Sequence, residues 1–257
     1  MDPPTLRLAG DAPDAPAGPL PEASISREYY VARGYLTLRN RFPPGEVEAW
    51  QEESERLWRH VHESDAAHRL QYREHESGTR VPDRIDPLLD VSPLFSNVAA
   101  DPRILEPVAR LLGEPPAVMK AKLITKRPGT QGYGLHQDYP YWAALGVPAD
   151  AMLSVLVAVD PASAENGALE VWPGLHHGIL PPPPGDPFDV DESLVDLNAG
   201  ELIALEAGDL LAFHSLVPHR SGANRSAHSR RAVFLTYVGA SHRDAASCYE
   251  QARLTLR

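Results

Sequence analysis

Residues 152–159, Met-Leu-Ser-Val-Leu-Val-Ala-Val, form an almost continuous apolar run. A short run of this kind predicts a strand that is covered on both faces. Further strands are predicted around it, at 117–125, 168–172, 202–205, 210–213 and 231–238. In the first of these, Met119, Ala121 and Leu123 share one face because side chains alternate along a strand. Gly208-Asp209, which lies between 202–205 and 210–213, predicts a hairpin.

The chain before residue 113 predicts helices. The first covers 25–33, with Ser24 and Ser26 as alternative N-caps and Gly34 as its end, and a strand follows at 35–38. Pro43-Pro44-Gly45-Glu46 begins a second helix, in which the residues at helical spacing are apolar: Val47, Trp50, Leu57 and Val61.

A third helix begins at Pro102 and ends at Gly113. Helices first and short strands afterwards predict an α+β domain that is mainly β, built on a sandwich or jelly roll. Residues 1–23, which are rich in Pro and Ala, predict a disordered tail, and 24–257 predicts a single domain.

Charge and composition exclude several classes of protein. The 257 residues include 24 Lys and Arg against 35 Asp and Glu, a net charge of −11, which argues against a nucleic-acid partner. No apolar run reaches the roughly 18 residues of a membrane span. The first 22 residues lack the features of a signal peptide, and a single cysteine, Cys248, favours a reducing compartment. We therefore expect a cytoplasmic monomer or homodimer.

Two polar stretches are predicted as loops that could line a substrate pocket, 63–90 and 180–199. The first is dense in His, Arg and Asp, and we interpret it as a lid or substrate loop. It contains four arginines that could attract an anionic group: Arg69, Arg73, Arg80 and Arg84. The alternative is a solvated basic loop that offsets an acidic surface.

The segment Leu135-His136-Gln137-Asp138-Tyr139 predicts a metal site. A histidine and an aspartate two positions apart on an extended segment point to the same side. His219 is the best candidate for a third ligand, although His214 lies close by. Two histidines and one carboxylate on one face of a metal are typical of non-heme Fe(II) oxygenases. The alternative is that these are hydrogen-bonded loop histidines.

Four elements in this order resemble the phytanoyl-CoA dioxygenase family of Fe(II)/2-oxoglutarate-dependent oxygenases. They are 135–142 (LHQDYPYW), 165–169 (ENGAL), 172–176 (WPGLH) and 219–224 (HRSGAN), with Arg230 after the last. The resemblance implies a double-stranded β-helix, or jelly-roll, core flanked by the N-terminal helices. It also implies Fe(II), 2-oxoglutarate as cosubstrate, O2 and a small-molecule substrate.

When the functional residues of the family are transferred by position, the resemblance implies that the iron ligands are His136, Asp138 and His219. Arg230 becomes the partner of the distal carboxylate of 2-oxoglutarate, and arginine is suited to this as a fixed bidentate donor. Ser221 would add a hydroxyl to that carboxylate, and Trp142 matches a position beside the metal. Arg231 is the rival of Arg230, because adjacent strand residues face opposite ways.

The implied reaction oxidises an unactivated carbon, most simply by hydroxylation, and releases succinate. Asp138 stands where a halogenase would have a small residue, which disfavours halogenation. The composition suggests bacterial specialised metabolism. Two alternatives stay open: a non-catalytic metal-binding or sensing protein on the same fold, and a cupin-like metal-dependent isomerase.

Overall fold

Residues 27–63 and 69–249, which the computed structural model describes, contain two antiparallel sheets and four α-helices of seven residues or more. The helices are α1 (Arg27–Arg33), α2 (Pro44–Glu63), α3 (Pro93–Ala99) and α4 (Pro102–Leu112). The strands up to the middle of the chain are β1 (Tyr35–Leu38), β2 (Leu70–Glu74), β3 (Arg80–Ile85), β4 (Pro116–Lys126), β5 (Tyr133–His136) and β6 (Met152–Ala158). The remaining strands are β7 (Leu169–Val171), β8 (Glu201–Ile203), β9 (Leu210–His214), β10 (His219–Ser221) and β11 (Arg230–Gly239).

The large sheet has seven strands in the order β1-β9-β6-β11-β4-β3-β2, and the small sheet has four in the order β5-β10-β7-β8. One face of the large sheet packs against the helices, where Leu123, Val157 and Val233 join the apolar side of α2. The other face packs against the small sheet, where Leu156 and Phe213 meet residues such as Leu169. The predicted α+β, mainly β sandwich is therefore confirmed.

Several predicted elements are confirmed in place. The run at 152–159 forms β6, in which every residue is buried because both faces are covered. The four apolar residues predicted for the second helix are all buried in α2. Helix α4 ends at Gly113, which adopts the left-handed conformation with φ 79°. The predicted tail and the N-caps of the first helix lie outside the described residues.

The predicted hairpin of 202–205 and 210–213 is wrong. Strand β8 pairs with β7 in the small sheet, whereas β9 pairs with β1 and β6 in the large sheet. The turn at Gly208-Asp209 thus carries the chain from one sheet to the other. A turn dipeptide specifies the local bend, but long-range packing decides which strand each side joins.

The prediction of a loop over 63–90 is also wrong for the greater part of that range. Strands β2 and β3 form an antiparallel hairpin that joins the large sheet through two β3–β4 pairs, Arg84↔Ile124 and Ile85↔Leu123. Of the four arginines singled out in the range 63–90, two lie near acidic residues: Arg69 lies 2.7 Å from Asp90, and Arg73 lies 3.9 Å from Asp83.

Within the described ranges, no helix is long and apolar enough to cross a bilayer.

Candidate metal and cosubstrate site

Three potential metal ligands meet at one end of the small sheet. One ligand atom from each of His136, Asp138 and His219 lies within 4.8 Å of the other two. The two imidazole rings are 4.2 Å apart between centroids. The sequence predicted these three residues as a set, and the structure brings them together.

Strand pairing places the two histidines side by side. His136 ends β5 and His219 begins β10, and the two are paired across the ladder. The chain turns immediately after His136, because Asp138 has helical backbone angles and begins a single turn over 139–141. The two residues therefore share a side, but not because the segment stays extended.

Gln137 fixes this turn from the opposite side. Its amide nitrogen donates to the carbonyls of Gly178 and Leu216, at 2.9 and 2.6 Å, and its amide oxygen accepts from the Leu180 backbone at 2.8 Å. The side chain is fully buried. Because Gln137 points into the protein, its neighbours on both sides are directed toward the cavity.

Each imidazole keeps its Nε2 atom available for a metal, because its Nδ1 atom is hydrogen-bonded to the backbone. His136 Nδ1 lies 2.8 Å from the Gly134 carbonyl, and His219 Nδ1 lies 3.0 Å from the Val217 carbonyl. A carbonyl can only accept a hydrogen bond, so each Nδ1 carries the proton and each Nε2 has a free lone pair. Burial lowers the pKa of His219 to about 4, and the nearby His136 acts in the same direction. A neutral imidazole is the form that binds metals.

Asp138 presents an ionised carboxylate to the same point. Burial alone would raise its pKa, but His219, Lys122 and His136 together with a hydrogen bond from Ser154 hold it below the ordinary value. Ser154 Oγ donates to Oδ2 at 2.9 Å, so Oδ1 stays available. A hydrogen bond from a serine to a metal-binding carboxylate fixes the orientation of that carboxylate.

Arg230 lines the same cavity with two unpartnered nitrogens. The walls of this cavity include all three candidate ligands and Ser221. Arg230 is 3% exposed, and one terminal nitrogen donates to the Gly167 carbonyl at 2.9 Å. Among the residues that the structure describes, its Nε and Nη1 are buried without a hydrogen-bond partner. An unsatisfied buried guanidinium is costly, so the arrangement fits an anionic ligand.

Lys126 stands beside Arg230, and the sequence analysis missed it. The two residues are paired across β4 and β11. Lys126 Nζ donates to Ser221 Oγ at 2.8 Å and to the Gly222 carbonyl at 2.6 Å. Burial lowers its pKa to about 6, and the charge of Arg230 adds to this. A dianionic ligand would restore the protonated form of this lysine.

Arg231 faces the helices on the other side of the sheet. It forms a two-pronged ion pair with Asp160 at 2.6 and 2.8 Å and reaches Glu55 of α2 at 3.0 Å. The side chains of 230 and 231 therefore point in opposite directions, as strand alternation predicts.

Trp142 lies in an apolar cluster with Met119, Val147 and Met152. It is 5% exposed, and the residues that line the cavity do not include it. Its placement fits packing between elements.

Lys122 is a second residue that sequence reasoning missed. It lines the cavity two positions before Ile124, on the face of β4 that carries Lys126. The strand was predicted from its apolar face alone, that is, from Met119, Ala121 and Leu123. The signal was present on the other face, where lysines recur at 120, 122 and 126 of an otherwise apolar strand.

The approach to His136 is bordered by aromatic and acidic side chains. The Tyr141 ring stacks on Phe188 at 4.3 Å, and both are substantially exposed. Asp189 pairs through its backbone with His136, and burial raises the pKa of its carboxyl. The predicted pocket segment 180–199 thus reaches the site through these residues.

Comparisons with known proteins agree with this geometry. Residues 30–232 match the family model described as phytanoyl-CoA dioxygenase (PhyH). The chain is 29% identical over 197 residues to methylphosphonate hydroxylase of Gimesia maris, covering 75% of this chain and 67% of that protein. It is 31% identical over 164 residues to 2-aminoethylphosphonate dioxygenase of an uncultured bacterium, covering 63% and 61%.

Among solved structures, EctD from S. alaskensis with 2-oxoglutarate and 5-hydroxyectoine superimposes with a TM-score of 0.73 at 22% identity. The superposition covers 88% of this chain and 80% of that one, which confirms the jelly-roll fold. The family match covers most of the chain, including all three candidate ligands and Arg230. The chain therefore belongs to the phytanoyl-CoA dioxygenase family of Fe(II)/2-oxoglutarate-dependent oxygenases.

Proposed function

We propose that the protein hydroxylates a small molecule, with His136, Asp138 and His219 holding Fe(II). The observation that carries this proposal is the convergence of one ligand atom from each of two histidines and one aspartate at the wall of a cavity. Three protein ligands leave coordination positions open for a cosubstrate and O2. When bound, Fe(II) and 2-oxoglutarate react with O2 to supply the oxidant, with release of succinate and carbon dioxide.

The other end of the cavity fits the distal carboxylate of 2-oxoglutarate. Arg230 offers Nε and Nη1, two donors that have no partner in the part of the chain that the structure describes. Lys126 and Ser221 lie on the same side and are already joined by a hydrogen bond of 2.8 Å. Charge-assisted hydrogen bonds of this kind orient a carboxylate and bind it strongly. We assign Arg230 as the main anchor, with Lys126 and Ser221 as supporting donors.

Asp138 has two tasks in this scheme. It supplies one oxygen to the metal, while Ser154 holds its second oxygen. It also occupies the position that an exogenous halide would need, which favours hydroxylation over halogenation. The apolar walls from Ile124, Leu169 and Phe234 limit water near the reacting carbon.

The two phosphonate-oxidising relatives indicate the size of substrate to test. Their names describe small organic acids as substrates. We therefore propose a small molecule rather than a polymer as the substrate. We further propose that the protein acts without a nucleic-acid or membrane partner, in line with its net charge of −11.

The test is succinate formation on addition of Fe(II), 2-oxoglutarate and O2, with a panel of small acids and their neutral analogues. We expect His136→Ala, Asp138→Ala and His219→Ala each to abolish turnover, while His228→Ala, at an exposed histidine, retains it. Turnover equal to wild type in the triple alanine variant would refute the metal assignment. Metal binding without any succinate release would instead support a non-catalytic sensor or an isomerase.

A further inference from the structure

Lys122 is a cavity-lining cation for which the proposed chemistry has no role. Its side chain lies beside the Phe234 ring, with Nζ 5.1 Å from the ring centroid. Within the described residues, Nζ has neither a hydrogen bond nor an ion pair, although it faces the cavity. The two other lysines on this face of β4 are engaged, since Lys120 lies 3.2 Å from Asp86 and Lys126 donates to Ser221.

Lys122 is also well separated from the anchor of the distal carboxylate. It lies four residues from Lys126 along β4, which is about 13 Å at roughly 3.3 Å per residue. Lys122 pairs with Phe234 of β11, and the next residue on that face of β11, Thr236, pairs with Ser154, the donor to Asp138. This lysine therefore stands at the metal end of the cavity. Both ends of 2-oxoglutarate already have partners in the proposed site, the metal at one and Arg230 at the other.

Among the described residues, Lys122 has no anionic partner of its own in the cavity. Of the two acidic groups whose charges reach it, Asp138 is a candidate metal ligand. An anion bound beside Lys122 would favour its charged form, which burial disfavours. The other charged groups near Lys122 are Lys120, Arg84 and Asp86, and Asp86 is already engaged with Lys120. A positive charge held away from bulk water needs a partner or destabilises the protein.

We propose that Lys122 binds an anionic group of the primary substrate, such as a phosphonate, phosphate or carboxylate. The substrate class is then a small organic acid whose oxidised carbon lies between this anchor and the metal. This inference rests on the proposed function, and it makes Lys122 a specificity-determining residue for that reaction. Ammonium is suited to the task because it offers three donors on a flexible stem.

The test measures anion binding near the metal without turnover. The protein is loaded with Mn(II) and saturating 2-oxoglutarate, and paramagnetic relaxation of the phosphorus NMR signal is recorded for ethylphosphonate and inorganic phosphate. We expect strong relaxation with the wild type. Lys122→Gln should bind both anions about ten- to a hundredfold more weakly, the value of a charge-assisted hydrogen bond. Neutral diethyl ethylphosphonate should not be relaxed.

Two further variants keep the test specific. Lys122→Arg retains the charge and should keep most of the binding. Arg110→Gln removes an exposed charge from the last turn of α4 and should behave as wild type.

Three results would overturn the inference: absence of relaxation with the wild type, equal relaxation with Lys122→Gln, or a variant whose main defect is in 2-oxoglutarate affinity. The third result would mean that Lys122 contacts the cosubstrate. A wild type that binds the anion but forms no succinate with Fe(II), 2-oxoglutarate and O2 would refute the proposed function and leave the anion site standing.

Discussion

Replacement of Arg230 by Ala should raise the half-saturating concentration of 2-oxoglutarate steeply while metal binding survives. The guanidinium is 3% exposed and has one protein acceptor, the Gly167 carbonyl, so two buried donors are left for the ligand. Loss of one member of a buried ion pair typically costs about 3–5 kcal/mol. At about 1.4 kcal/mol per tenfold, this is on the order of a hundred- to a few thousandfold in affinity. Lys126 remains in the site, which favours the lower end of that range.

The matched control is Arg231→Ala, on the same strand and the opposite face. This variant leaves the carboxylate of Asp160, which is 8% exposed, without its two-pronged partner, so thermal stability should fall. The half-saturating concentration of 2-oxoglutarate should change little. Arg230→Lys should recover part of the loss, because lysine keeps the charge without the two-pronged geometry.

The assay is succinate formation against 2-oxoglutarate concentration for the three variants at saturating Fe(II). If Arg231→Ala shows the large shift and Arg230→Ala does not, the assignment of the anchor is incorrect. If both variants shift equally, the effect arises from the stability of the sheet rather than from a contact with the cosubstrate.

Three other predictions concern the surroundings of the ligands. Ser154→Ala removes the donor to Asp138 Oδ2 and should weaken metal affinity by about ten- to a hundredfold, measured by titration of the metal-free protein with exposed Ser193→Ala as control. Trp142→Phe should lower the free energy of unfolding by about 1–3 kcal/mol and leave 2-oxoglutarate affinity unchanged; a large loss of affinity would restore Trp142 to the site. His219 has a pKa of about 4 against an ordinary 6.5, so the unfolded chain takes up the proton first as pH falls. The free energy of unfolding of the metal-free protein should therefore fall by up to about 3 kcal/mol as the pH is lowered from 6.5 to about 4. His219→Gln should remove most of this pH dependence, which denaturation at a series of pH values would measure.

Local sequence patterns were sufficient to predict the elements that neighbouring residues determine. Helix α4 begins at Pro102 and ends at Gly113, because a proline fits the first turn and a glycine accepts the left-handed end. The apolar run that forms β6 needed no partner to be identified as a doubly covered strand. The ligand set was predicted by resemblance, and the local reason given for His136 and Asp138 was incomplete, because the chain turns between them.

The failures concern pairing between distant segments and polar residues on inner faces. No local signal tells that β8 and β9 enter different sheets, or that β2 and β3 pair with each other and extend to β4. Lys122 and Lys126 were missed because a lysine in a strand is ordinarily interpreted as solvent-exposed. Their common face becomes a cavity wall only once the small sheet covers it.

The two sheets contribute to the site in different ways. The candidate metal ligands belong to the small sheet or to the turn that follows it, whereas Arg230 and Lys126 belong to the large sheet. A ligand held at both ends therefore cross-links two layers that could otherwise slide or separate. We expect metal and 2-oxoglutarate together to raise the melting temperature by more than the sum of their separate effects, and to slow amide exchange chiefly in β5 and β10. In such an arrangement the cosubstrate also stabilises the fold, because it joins the two sheets of the sandwich.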